Sequence, residues 1–165
     1  MTDVTIDLYS DLDKNQVIDL ILHIQTEEFG IPITLQDQPD LNEIPSFYRV
    51  GNGNFWIARN MDKIIGTIAL LDIGNQKGAL RKMFVTREYR GKEHGIAQGL
   101  LDHLVDWAKQ KGMHEILLGT TEKFVAAQRF YEKNGFREIP KRDLPKEFPV
   151  MDVDVKFYSL SLSHK

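Results

Sequence analysis

The sequence predicts an α/β (α+β) fold with a mixed, mostly antiparallel central sheet of about six to seven strands and helices on both faces. Two patterns support this prediction. Three consecutive strand-like segments lie between residues 54 and 85, which is typical of antiparallel pairing. Two strand–helix units follow, and their helices are expected to pack on the sheet. The chain has 165 residues without repeats, linkers or low-complexity tracts, so we expect a single domain over residues 1–165.

The first third of the chain predicts a strand, a helix and an irregular segment. Thr5–Leu8 alternates apolar and polar side chains, which indicates a first strand. A helix capped by Ser10, Asp11 or Asp13 should follow and end near Phe29–Gly30. The buried stripe of this helix comprises Val17, Leu20, Ile21 and Ile24. Residues 31–50 contain three of the six prolines and predict a loop with a short, irregular helix.

The middle of the chain carries three predicted strands joined by turns. The strands are Asn54–Asn60, Ile64–Leu71 and Leu80–Val85. Turns are predicted at residues 51–54, 60–63 and 72–75. In the first of these strands, Phe55 and Ile57 should face one side of the sheet, and Trp56 and Ala58 the other.

The last third predicts three shorter strands and one helix. The strands are Glu115–Leu118, Arg137–Ile139 and Val153–Leu162. The helix places Phe124, Ala127 and Tyr131 on one face. The hydroxyl of Thr120 or Thr121 is expected to cap its beginning.

A loop of glycines and cations separates the strand Leu80–Val85 from an amphipathic helix. The loop is Arg90-Gly91-Lys92-Glu93-His94-Gly95, and the apolar face of the helix comprises Ile96, Leu100, Leu104, Trp107 and Ala108. Free N–H groups and the positive end of a helix dipole meet in such a loop, and this arrangement binds phosphate. The P-loop ending and the dinucleotide fingerprint are both absent. The alternative is a plain strand–turn–helix crossover in which the glycines serve the turn alone.

Two stretches in this order resemble one enzyme family. The strand, YRGKEHGIA and the following helix resemble motif A of the GCN5-related N-acetyltransferases (GNAT), and RFYEKNGF resembles their motif B. In that family the motif A loop holds the pyrophosphate of acetyl-CoA. Gly95-Ile96-Ala97 matches the second half of the loop pattern, and Lys92 stands where the family prefers Gln or Arg. If Arg90-Gly91-Lys92 is aligned instead, Glu93 and His94 form a two-residue insertion.

The resemblance implies a coenzyme site and a sheet of the GNAT type. The backbone of Met83–Val85 would pair with the pantetheine arm of acetyl-CoA, and one of its N–H groups would polarise the acetyl carbonyl. The expected coenzyme-binding residues are Met83, Phe84, Val85, Arg90, Gly91, Lys92, His94, Gly95, Ile96, Ala97, Thr121, Phe124, Ala127 and Tyr131.

Motif B implies a general acid. The family tyrosine beside the coenzyme sulfur corresponds to Tyr131, which would give a proton to the departing thiolate. The alternative for Tyr131 is a half-buried core position. Many members carry an asparagine near the start of this helix, where this sequence has Phe124, and Thr120 or Thr121 could supply that contact instead.

The acceptor side is expected near the first helix and the irregular segment after it. The candidates for touching the amine are Glu27, Glu28, Phe29, Phe47 and Tyr48, and a late strand adds Asp152 or Tyr158. The amine must lose a proton, and Glu27, Glu28 and Asp72 are candidate bases, of which we select Glu28. The alternatives are a solvated helix end for the two glutamates and core packing for Phe29.

These residues together predict an enzyme that uses acetyl-CoA as co-substrate. We expect an N-acetyltransferase that moves the acetyl group directly to a primary amine of a small molecule or peptide. An alternative is a non-catalytic acyl-CoA-binding or sensory module of the same fold, although Tyr131 favours catalysis. An interaction domain without CoA would leave both motifs unexplained.

Composition excludes several other classes of function. Net charge is −3 and the pI is near 5.9, so no nucleic-acid surface is expected. The chain has no cysteine, which rules out disulfides and thiolate chemistry. The histidines lack metal-ligand spacing, so no metal is expected; they are His23, His94, His103, His114 and His164. Within the loop, His94 is either a phosphate donor or a solvated side chain.

The pattern of apolar residues bears on cellular location. No stretch approaches the roughly 20 apolar residues of a membrane span, and the first residues lack the apolar core of a secretory signal. We therefore expect a cytoplasmic protein without membrane partners, as a monomer or a homodimer.

Overall fold

A computed structural model describes residues 4–162 and confirms the predicted fold class. The strands are Val4–Leu8 (β1), Asn54–Asn60 (β2), Lys63–Gly74 (β3), Lys77–Val85 (β4), Glu115–Thr120 (β5), Arg137–Ile139 (β6) and Lys156–Ser161 (β7). The helices are Lys14–Leu22 (α1), Ile44–Tyr48 (α2), Ile96–Gln110 (α3) and Val125–Lys133 (α4). The seven strands form one sheet in the order β1-β2-β3-β4-β5-β7-β6. Only the β4–β5 pair is parallel among these strands.

Helices cover both faces of the sheet, as the alternation in β2 predicts. Trp56 and Ala58 pack with α3 and α4 on one face. Phe55 and Ile57 pack with α1 and α2 on the other face. Since successive side chains of a strand point to opposite faces, β2 contributes to both hydrophobic cores.

The first helix ends in a π-helical segment. A six-residue π-helix, His23–Glu28, continues α1 up to Phe29. Its wider turn brings Gln25 into a buried position and leaves Glu27 exposed. Single π-helical turns of this kind occur frequently at functional sites.

The two parallel strands separate along their length. β4 pairs with β5 only at Lys77–Ala79, opposite Glu115–Leu117. On the other side of β4, the register with β3 shifts between Thr67 and Ala69, so that β4 contains a bulge. Lys82 lies in this bulge with a φ of 53°, and its carbonyl accepts a 2.6 Å hydrogen bond from the Thr67 hydroxyl. The result is a cleft between the ends of β4 and β5.

Several predicted boundaries were wrong. β4 begins at Lys77 and not at Leu80, and β5 ends at Thr120 and not at Leu118. The β3–β4 turn is at Asn75–Gln76, where both residues have positive φ, so residues 72–74 belong to β3. β7 begins at Lys156 because a turn closed by the Asp154 N–H and the Met151 carbonyl precedes it.

The predicted cap of α4 was also wrong. Phe124 occupies the N-cap position, and no side chain caps the helix there. The Thr121 hydroxyl instead accepts a 3.4 Å bond from Lys123 N–H in the preceding turn. The predicted threonine cap is therefore displaced to the turn before the helix.

No helix within residues 4–162 has both the length and the apolar character needed to cross a bilayer. The same part of the chain contains no cluster of three or more histidine, aspartate or glutamate side chains suited to a metal ion. His164 lies outside the described residues.

Candidate active site

The cleft between β4 and β5 contains a cavity of about 100 Å³. β4 lines it from Leu80 to Phe84, and the end of β5 lines it from Leu118 to Thr120. The loop before β7 closes a third side, and Gln25 and Ile33 contribute from the segment after α1. The position of the cavity follows from the loss of β4–β5 pairing beyond Ala79.

Five of the predicted coenzyme residues line this cavity. They are Met83, Phe84, Thr121, Phe124 and Tyr131. The others lie outside it, along the end of β4, the glycine loop, the first turn of α3 and the middle of α4; they are Val85, Arg90, Gly91, Lys92, His94, Gly95, Ile96, Ala97 and Ala127.

Tyr131 projects from α4 into an aromatic wall of the cavity. Its side chain is 5% exposed and packs against the rings of Phe136 and Tyr158, at centroid distances of 5.6 and 6.2 Å. No group within residues 4–162 hydrogen-bonds to its hydroxyl. Burial raises the pKa of Tyr131 well above its ordinary value, so the phenol stays protonated at neutral pH. Such a phenol can donate a proton but cannot readily act as a base.

The glycine loop leads directly into the N-terminus of α3. Gly95 occupies the N-cap with a φ of 66°, and no side chain caps the helix. The N–H groups of the first turn are therefore available to an anion. Gly91 has a φ of 110°, and a Cβ there would lie 2.8 Å from the Glu93 carboxylate. His94 packs against the Tyr89 ring, at a centroid distance of 5.6 Å.

The cations of the loop have different partners. Arg90 donates to both carboxylate oxygens of Glu28 and, over 2.8 Å, to the Val85 carbonyl. Lys92 instead lies beside Lys133, and the neighbouring Lys92 ammonium lowers the pKa of Lys133. The end of α4 adjoins the first turn of α3 through a 2.9 Å bond from Gln98 to Asn134.

None of the three candidate bases lines the cavity. Both oxygens of Glu28 accept from Arg90, and Glu27 is exposed. The Asp72 carboxylate accepts from the Asn52 and Gly74 N–H groups, each over 2.9 Å. Asp72 is therefore a turn-stabilising residue, whereas the base role of Glu28 stays a prediction.

Most of the acceptor candidates lie in the core or on the surface. Tyr48 is fully buried and donates a 2.5 Å bond to Asp40, and Tyr158 is fully buried and donates to Glu132. Both hydroxyls are thus used inside the protein, and neither residue lines the cavity. Asp152 is exposed outside it.

Two aromatic candidates flank the cavity. Phe29 packs edge-on against the lining residue Phe124, at a centroid distance of 4.9 Å. Phe47 lies below the guanidinium of Arg81, 5.6 Å from its ring centroid, and Arg81 lines the cavity.

Sequence reasoning missed the charged residues of the cavity, Arg81, Lys82 and Asp154. Lys82 is 9% exposed, donates to Gln38 and lies 3.8 Å from Asp40. Burial lowers the pKa of Lys82 to about 8. Gln38 in turn exchanges two amide hydrogen bonds with Gln25, of 3.0 and 2.9 Å. The only local signal was two cations inside an otherwise apolar strand.

Comparisons with known proteins show the family and the fold of this chain. The model of the acetyltransferase (GNAT) family matches residues 18–136, and the chain therefore belongs to this family. It is similar to the solved structure of an acetyltransferase of the GNAT family from Staphylococcus aureus Mu50. That similarity has 43% identity and a TM-score of 0.93, over 97% of this chain and 99% of the other.

More distant relatives share parts of the sequence or the fold. A probable N-acetyltransferase 14 from Xenopus tropicalis is 32% identical over 72% of this chain and 57% of its own length. The chain spans between 36% and 57% of the length of eight of the curated relatives that it matches. The fold is also that of PaiA N-acetyltransferase from Thermoplasma acidophilum, which was solved with coenzyme A. The TM-score of this similarity is 0.73 at 21% identity, and it covers 97% of this chain and 99% of the other.

Proposed function

We propose that this protein is an N-acetyltransferase that transfers the acetyl group of acetyl-CoA directly to a primary amine of a small molecule or peptide. The observation that carries the proposal is the cleft itself. It opens where β4 and β5 separate, and it is lined by Tyr131, whose phenol stays protonated at neutral pH. Two structural neighbours, one of them the PaiA enzyme, were solved with coenzyme A.

The residues of the cleft fit an elongated coenzyme. Beyond Ala79, the edge of β4 that faces β5 has no partner strand, so the backbone of Met83–Val85 can pair with an amide-containing arm. The first turn of α3 offers N–H groups for a pyrophosphate. Lys92 and Lys133 lie side by side, and an anion between them would relieve their repulsion. We assign phosphate binding to these two lysines and the helix N-terminus, and we assign a tethering role to Arg90.

Acetyl-CoA, when bound, supplies an acetyl thioester. We assign to Tyr131 the proton that the coenzyme sulfur needs as it leaves, because its phenol is protonated and has no partner within residues 4–162. Glu28 can act as the base only if it separates from Arg90. Asp154 is a second candidate, since its carboxylate already lines the cavity.

The experiment that tests the function has two stages. Thermal unfolding is first measured with acetyl-CoA, CoA and ATP in parallel, since a ligand at 100 times its Kd should add about 2.7 kcal/mol of stability. We expect both CoA species to stabilise the protein and ATP not to do so. Thiol release from acetyl-CoA is then measured with a panel of primary amines.

Three outcomes separate the alternatives. Amine-dependent thiol release supports the proposed enzyme. Stabilisation by CoA species without turnover of any amine would support a non-catalytic acyl-CoA-binding module instead. No stabilisation by either CoA species would contradict the coenzyme site altogether.

A further inference from the structure

We propose that the acceptor is a small zwitterion, with its carboxylate bound by Arg81 and its ammonium group bound by Asp154. This inference rests on the proposed acetyltransferase function and specifies the class of its substrate. It narrows the acceptor from any primary amine to an amino acid or a similar amino-carboxylate compound.

The guanidinium of Arg81 is a cation at the cavity wall, and its charge acts on the Asp154 carboxylate without a direct ion pair. It lies over the Phe47 ring, and its Nη2 is 3.5 Å from the sulfur of Met151. No carboxylate within residues 4–162 forms an ion pair with it. The aromatic and thioether contacts hold the guanidinium plane in place and leave its charge available. A fixed guanidinium binds a carboxylate through two parallel hydrogen bonds.

Asp154 supplies the opposite charge in the same cavity. Its Oδ2 accepts a 2.9 Å bond from the Met151 N–H, while no group within the described chain bonds to its Oδ1. Burial raises the pKa of Asp154, and the Met151 N–H and the charges of Arg81 and Lys82 offset only part of this rise. A substrate ammonium would supply further compensation. Gly119 makes room for this carboxylate, because a Cβ there would lie 2.7 Å from Oδ2.

The remaining charges of the cavity are already paired. Lys82 lies 3.8 Å from Asp40 and donates to Gln38, so its ammonium is compensated inside the wall. Arg81 and Asp154 are farther apart than the 4.0 Å of an ion pair, so each retains capacity for a ligand. An acceptor with an amine alone would leave the half-buried guanidinium without a carboxylate partner in the cavity.

The size of the cavity favours a small acceptor. Its volume of about 100 Å³ must hold the reacting ends of both substrates. Within such a space, two fixed charges of opposite sign suit a molecule whose amine and carboxylate are separated by a few bonds.

The test uses matched acceptors and a matched pair of variants. Acetyl-CoA-dependent thiol release is measured with the twenty standard amino acids, their carboxamides and the corresponding amines that lack the carboxylate. The variant Arg81→Gln removes the proposed carboxylate partner. Arg137→Gln is the control, because it makes the same charge change on the exposed strand β6. Arg81→Lys is the conservative variant, and all variants are first checked for unchanged thermal unfolding and acetyl-CoA affinity.

With wild-type protein, we expect kcat/KM for the best amino acid to exceed that for its carboxamide by roughly 10- to 100-fold. Arg81→Gln should remove this preference by raising the KM of the amino acid alone. Arg81→Lys should restore part of the preference, and Arg137→Gln should leave it unchanged. The side-chain oxygen in Asp154→Asn can still accept from the Met151 N–H. This variant should lower kcat/KM for amino acids and plain amines alike.

Two results would overturn the inference. Equal or faster acetylation of carboxamides and plain amines by wild-type protein would show that the carboxylate is not recognised, while the enzyme function would stand. Equal losses for amino acid and carboxamide in Arg81→Gln would show that Arg81 acts only on structure. Absence of turnover with every amine would contradict the proposed function as well, and the binding of acetyl-CoA measured beforehand distinguishes this case.

Discussion

The two halves of the candidate site are built in different ways. The proposed coenzyme half depends mainly on backbone groups from two short consecutive stretches, the edge of β4 and the first turn of α3. The acceptor half consists of side chains from separate elements, including Phe47 in α2, Arg81 in β4 and Asp154 before β7. One half is defined by a local chain path, and the other by long-range packing.

This difference predicts which half of the site can vary while the fold is kept. A backbone site for phosphate and amide groups tolerates many side chains, provided that the glycines and the helix start are kept. An acceptor wall of side chains can change its charge without changing the fold. The four substitutions below test whether each half depends on the groups assigned to it.

The largest effect is expected for Tyr131→Phe. The ring still fills its apolar site, but the proton donor is lost, so kcat should fall by about 100-fold with little change in acetyl-CoA affinity. Steady-state thiol release measures this. Tyr158→Phe is the matched control: it removes a buried hydroxyl bonded to Glu132 and should cost about 1 kcal/mol of stability without affecting kcat. An unchanged kcat in Tyr131→Phe would rule out the acid role.

The next effect concerns the acceptor wall and its pH dependence. The pKa of Lys82 is about 8 in the folded protein against an ordinary value of 10.5. Between pH 8 and 10.5 the unfolded chain binds more protons at Lys82 than the folded chain does. The free energy of unfolding therefore rises with pH in this range. The free energy of unfolding of wild-type protein relative to Lys82→Met should therefore rise by about 2 kcal/mol from pH 7 to 9.5. Urea unfolding at the two pH values measures it, and a pH-independent difference would mean that Lys82 titrates normally.

A smaller effect is expected for Gly95→Ala in the coenzyme half. Gly95 has a φ of 66°, and no heavy atom lies within 4 Å of the position of a Cβ, so the cost is one of backbone conformation alone. Stability should fall by about 1 kcal/mol. Gly95→Asn is the control. Asparagine adopts a positive φ more readily than alanine, so this variant should lose less stability than Gly95→Ala. Equal losses in the two variants would point to a different cause.

The smallest effect is expected for Lys92→Gln. The helix N-terminus keeps most of the phosphate affinity, so the Kd for acetyl-CoA should rise only about threefold. The loss should diminish at high salt, since the side chain is exposed. Lys141→Gln, an exposed lysine away from the cleft, should leave the Kd unchanged. A larger rise for Lys141→Gln than for Lys92→Gln would contradict the phosphate assignment.

The same contrast determines what the sequence could predict. The alternation of Phe55 and Trp56 correctly predicted which face of the sheet each side chain of β2 occupies, because strand periodicity is local. Tyr131 could be singled out because it lies in a contiguous motif, and it lines the cavity. Arg81 and Asp154 could not be paired in the same way. They come together only through the bulge in β4 and the turn before β7, and neither feature has a periodic signature.

The alignment of the glycine loop shows the same limit. The sequence left open which cation meets the phosphate. The structure brings Arg90 to Glu28, 62 residues away in the chain, and leaves Lys92 beside Lys133. Partners at such separations arise from the fold of the whole domain.

Amide hydrogen exchange with and without acetyl-CoA tests the central claim most directly, that the coenzyme occupies the cleft between β4 and β5. We predict slower exchange at residues 83–85 and 95–97, because backbone groups there would bond to the ligand, and unchanged exchange in β1 at the far edge of the sheet. Slower exchange confined to segments away from the cleft, or no change with saturating acetyl-CoA, would contradict the claim.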